Sequence, residues 1–64
     1  MTQKELLYFE DAIGHEKSII SIINNIISNL EDETLVNFMN EELTKHKDLE
    51  EKLTNLLEVK ANEW

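Results

Sequence analysis

This chain reads as an all-α fold: an antiparallel hairpin of two helices that pairs with a second copy into a four-helix bundle. Three observations predict it. Apolar residues recur at helical spacing in two blocks, the pattern breaks once around "SNLEDET", and there is no proline and a single glycine. No segment alternates in the manner of a strand, and no internal repeat is evident.

The first helix is expected over about residues 3–29. Thr2 and Glu5 form a T-x-x-E capping box, in which a threonine oxygen and a glutamate reciprocally satisfy free backbone N–H groups. Leu6, Ile13, Ile20 and Ile27 then recur at heptad spacing, with Phe9, Ile23 and Leu30 in a companion row. Ala12, Ile19 and Ile26 widen this stripe on one side. So broad a stripe suits a bundle helix with two neighbours better than a two-stranded coiled coil. Gly14 costs about 1 kcal/mol against alanine inside a helix. It lies off the centre of the stripe, which fits simple tolerance better than a close helix contact.

A turn is expected over about 30–32 and a second helix over about 33–61. Asp32 is a candidate N-cap, and Glu33 follows in the first turn, where the helix dipole favours negative charge. Leu35, Met39, Leu49, Leu53 and Leu56 make the second stripe, flanked by Phe38, Leu43 and Leu57, with Phe38 and Met39 read as core. Trp64 falls in line with the stripe, where it would cap a bundle or dock on a partner. Each helix would be about 40 Å long at 1.5 Å per residue, and one hairpin cannot cover stripes this wide. Pairing of two hairpins is the economical remedy, with a higher oligomer or a partner protein as the alternative.

Composition narrows the function. A 64-residue chain stabilises itself by burial only with difficulty, and the absence of cysteine removes disulfides and thiolate metal sites. Self-association, or a metal held by carboxylate and imidazole, remains. The net charge of -8, spread along the chain, opposes binding to nucleic acid or anionic membranes. The N-terminus lacks the basic start and apolar core of a signal peptide, and "IISIINNIISNL" is too short to span a bilayer. A soluble, cytoplasmic protein is the expectation. Nucleophile–base pairs, glycine-rich phosphate loops and basic patches are missing, which argues against a conventional hydrolase or transferase.

One anomaly carries chemistry. Glu16 occupies the companion row of the first helix, where an apolar residue is expected, and Glu42, His46 and Glu50 stand four apart within the second stripe. In a hairpin turning near Glu31, residues lie level when their numbers sum to about 62. Glu16 is then level with His46, Ile20 with Glu42, and Ala12 with Glu50. A dimer would gather two such sets near its centre, and burying that much like charge demands compensation. A metal held by Glu16, Glu42, His46 and Glu50 is one remedy. The donor set suits iron, manganese or zinc, and suits calcium poorly. Protonation, solvent access, or a hydrogen-bonded acid–imidazole set that fixes register is the other. Asp11 and His15 read as an exposed acid–imidazole pair, and Tyr8 as packing at a helix interface.

The segments "LLYFEDAIGHEK", "LEDETL" and "EELTKHKDLEEKL" resemble the short ferritin-like proteins of spore-forming bacteria, the spore coat protein F group. The resemblance covers most of the chain through loose helical patterns. It implies a hairpin that dimerises into a ferritin-like bundle, with a role in the spore coat. On the ferritin pattern Glu16 would match the lone glutamate, and Glu42 with His46 the Glu/His pair. Here the chain departs: ferritin-like sites use Glu-x-x-His, whereas this spacing is Glu42-x-x-x-His46. A mononuclear site, or a vestigial one, fits this spacing as well as a bridged pair.

The expected function is that of a non-enzymatic structural or interaction protein that homodimerises, with a ferritin-like metal-binding protein as the alternative. An adaptor offering its apolar face to another protein's helices is a third.

Overall fold

The computed structural model describes residues 1–63; Trp64, expected in line with the second stripe, lies outside the described residues. Helix α1 runs Gln3–Asn29 and α2 runs Glu33–Ala61, and the two pack against each other. Among the described residues there is no strand. The molecule is a rod of 48 × 14 × 10 Å.

Both helices begin where their side chains can satisfy free amides. Thr2 is extended (φ -82°, ψ 163°) and its hydroxyl accepts from the Glu5 amide at 3.0 Å, while the Thr2 amide donates to Glu5 Oε1 at 2.8 Å. These bonds favour the ionised carboxylate and hold Glu5 below its ordinary value. Asp32 caps α2 by accepting from the Leu35 amide at 3.1 Å. Between the helices, Leu30 is extended (φ -91°, ψ 140°) and its amide donates to the Ile27 carbonyl, closing α1.

The seam of α1 follows its companion row. Ile23 (5% exposed) and Glu16 are its buried residues, with Leu6, Phe9, Ile13, Ile20 and Ile27 half-buried around them. On α2 the seam is rotated from the expected stripe. Val36, Met39, Leu43, His46, Glu50, Leu53 and Leu57 are half-buried, whereas Leu35, Leu49 and Leu56 are exposed. Phe38, read from sequence as core, is 55% exposed. The reason is His46, which faces Glu16 across the seam and places the contact line on its own side of the leucines.

Burial in one hairpin is sparse. Full burial of an aliphatic side chain stabilises by about 1.5–3 kcal/mol, and among the described residues only Ile23 comes close to it. Ordering each residue's backbone costs about 1–2 kcal/mol. The single hairpin therefore leaves much of its apolar surface unused.

A Cβ added at Gly14 would meet nothing within 4 Å. Gly14→Ala should therefore raise stability by about 0.5–1 kcal/mol, read as a higher midpoint in thermal or urea unfolding followed by circular dichroism. A lowered Glu5 contributes stability that is present above the unfolded carboxylate value and lost as pH falls through its folded value. Acid titration of helicity should accordingly show an N-terminal component that Glu5→Gln abolishes; an unchanged acid limb in that variant would contradict it.

Candidate functional site

Glu16 is the fourth residue after Ala12 and the seventh after Phe9, so helical spacing aims it at α2. On α2 the residue level with it is His46. The two side chains meet: His46 Nδ1 lies 2.6 Å from Glu16 Oε2. An ionised carboxylate can only accept, so the tautomer with hydrogen on Nδ1 is the one that pairs with ionised Glu16. Glu16's side chain is 11% exposed and that of His46 is 28% exposed, so the carboxylate is the better shielded partner. The remaining ion pairs between described residues, Lys45–Glu42, Lys52–Asp48 and Lys60–Glu63, lie within α2 or at its C-terminal end; Glu16–His46 alone among them crosses the seam.

Glu42 and Glu50 do not join this pair. Glu42 is half-buried on the α2 flank, and its Oε1 accepts from Lys45 Nζ at 3.4 Å. Glu50 is half-buried one helical turn beyond His46, outside the described hydrogen bonds. Among the described residues, no group of three or more histidine, aspartate or glutamate side chains could hold a metal ion. Of the four expected ligands, one hairpin thus brings together Glu16 and His46. Asp11 and His15, expected to pair, are both exposed and absent from the ion pairs between described residues.

A second feature is larger than the pair. On α1, Tyr8, Ile22 and Ile26 are exposed, Ile22 by 59%. At about 100° per residue they lie roughly 80–120° to one side of the Glu16–Ile23 line. On α2, Phe38, Leu49 and Leu56 lie roughly 80–100° to one side of the line through Met39, His46 and Leu57. Both helices are right-handed and they run in opposite directions, so these two flanks emerge on the same broad side of the hairpin. The opposite side carries Glu10, Lys17, Ser21, Asn24, Lys47 and Glu51, all exposed. One broad face of the rod therefore carries most of its exposed apolar residues, interleaved with charged ones, and the other is polar.

Sequence reasoning found the width of the stripes, with Leu49 in the second stripe and Phe38 as core, but did not separate the hairpin's own seam from its outer flank. Once the Glu16–His46 contact is known, projecting both helices about it separates seam from flank.

Compared with family models, with curated proteins and with solved structures, the chain matches none. No described helix is long and apolar enough to cross a membrane.

The pair makes an asymmetric prediction. His46→Leu strands a shielded carboxylate and should cost about 1–3 kcal/mol, whereas Glu16→Leu leaves an imidazole that water can reach and should cost less. The double variant Glu16→Leu/His46→Leu should be near neutral or stabilised, because an apolar pair needs no desolvation. Urea unfolding of the two single variants and the double variant checks the order; equal losses from the two single changes would contradict it.

Proposed function

We propose that this chain is a non-enzymatic structural module that homodimerises through its apolar broad face to form a four-helix bundle. The observation that carries the reading is the exposed row on that face, Ile22, Ile26, Phe38, Leu49 and Leu56 among its residues. Area supports it. A compact 7.5 kDa protein exposes about 4,250 Å², whereas this chain exposes 4911 Å². The excess, about 650 Å², approaches the roughly 800 Å² per partner of a stable interface.

A second copy is the fitting partner, because each helix has only one neighbour and a bundle supplies the other. The resemblance of the chain's segments to the spore coat protein F group supports a place as a structural component of a coat, reached from the cytoplasm. That part rests on the sequence resemblance.

Glu16 and His46 serve this module by setting register. A buried polar pair is satisfied only when its two levels align, and a slip by one turn would leave a carboxylate unpaired in the seam. The metal-binding alternative asks for Glu42 and Glu50 to join them with iron, manganese or zinc. Native mass spectrometry with each metal added back separates the two readings: stoichiometric metal lost in His46→Ala supports the alternative, and a metal-free dimer supports the structural module.

Sedimentation equilibrium at micromolar concentration should give twice the chain mass. Phe38→Glu or Ile22→Glu should weaken the dimer by at least about 100-fold, since each buries a charge without a partner. Ser21→Glu adds the same charge on the polar face and should leave the mass unchanged. A monomer in the unsubstituted chain would overturn the proposal.

A further inference from the structure

Resting on the self-pairing proposed above, we infer that the two hairpins dock with their turns at the same end, α1 of each lying against α2 of the partner. A face-to-face pair of hairpins has two symmetric choices, because the two-fold axis lies in the interface either along the helices or across them. The first puts both turns together. The second puts them at opposite ends, with α1 against α1 and α2 against α2.

The distribution of apolar residues along the face decides between them. The half near the turn carries Ile22, Ile26, Leu35 and Phe38, all exposed and apolar, with one ion pair, Lys45–Glu42, at its inner edge. The half near the chain ends is mixed: Tyr8, Leu49 and Leu56 are interleaved with Lys4, Asp11, His15 and Lys52. Turn-to-turn docking lays like on like. With levels set by the Glu16–His46 contact, Ile26 comes opposite Leu35 of the partner subunit, Ile22 opposite Phe38 of the partner subunit, and Tyr8 opposite Leu56 of the partner subunit.

Opposite-end docking over the full length instead lays the apolar half on the mixed half. Ile22 then comes opposite Asp11 of the partner subunit. Sliding the copies until only their turn halves overlap avoids that clash but leaves Tyr8, Leu49 and Leu56 uncovered.

Rim charges do not choose. The same-end arrangement brings Asp11 towards Lys52 of the partner subunit, and the opposite-end one brings Lys52 towards Glu41 of the partner subunit. Exposed pairs of this kind add little energy either way, so apolar matching sets the arrangement.

The chain has no cysteine, so a single introduced one carries a unique spin label. Glu31→Cys places it at the turn and Gln3→Cys at the open end, both exposed. Neighbouring helix axes in a bundle are about 8–10 Å apart, so same-end docking predicts label separations below about 25 Å at both positions. Full opposite-end docking predicts about 40 Å at both, one helix length. The slid arrangement predicts a short distance at Glu31→Cys and a much longer one at Gln3→Cys. Sedimentation of each labelled chain reports its mass in the same samples. A dimer with both distances short supports the inference. A dimer with either distance long overturns it and leaves self-pairing standing. A monomer overturns both.

Discussion

Two helices laid side by side cover only one line of each other's surface, and in this chain each helix is apolar over more than one line. Ile23 and its neighbours fill the seam, while Ile22 and Ile26 on α1 and Phe38 and Leu49 on α2 are left outside it. The rod is 10 Å thick in its shortest dimension, so there is no depth in which to hide them. From this follow the small buried core, the large surface for the mass, and the need for a second layer of helices.

The Glu16–His46 contact gives that thin structure a fixed register. Apolar side chains in a narrow seam tolerate a slide of one helical turn, because leucine and isoleucine interchange at modest cost. A shielded carboxylate does not tolerate it. Held at 2.6 Å from Nδ1, Glu16 ties the middle of α1 to the middle of α2, far from the turn and the frayed ends. The same contact rotates α2 so that His46 faces the seam and the leucines beside it face outward. A polar pair in the seam thereby goes with the apolar face outside, which links Glu16, the one buried ionisable group among the described residues, to that face.

The fold was legible because the physics that makes it is local. The Thr2–Glu5 capping box and the Asp32 cap need only near neighbours, and the structure shows both. The periodic rows need only helical geometry, and the hairpin follows from a short break between them. Even the Glu16–His46 meeting was legible, since level matching is arithmetic once the turn is placed. The wider cluster was not. Glu42 and Glu50 share a helix face with His46 on paper, yet in one hairpin Glu42 is drawn to Lys45 and Glu50 lies a turn away. Spacing along a helix tells which residues can meet; it does not tell which way the helix is turned towards its neighbour.

The amino-acid sequence by itself determined the two helices, their caps, the level at which they face each other and the excess of apolar surface. These depend on near-neighbour chemistry and on a repeat of 3.6 residues. Tertiary structure alone decided the rotation of α2 about its axis. That rotation is set by contacts far apart in sequence, the Glu16–His46 hydrogen bond between residues thirty positions apart among them, and the energy of that bond depends on the burial and partnering of both groups together. It also decided that most of the leftover apolar residues, Tyr8, Ile22 and Ile26 with Phe38, Leu49 and Leu56, gather on one broad side, because two antiparallel right-handed helices place corresponding flanks in the same direction only once their seam is known.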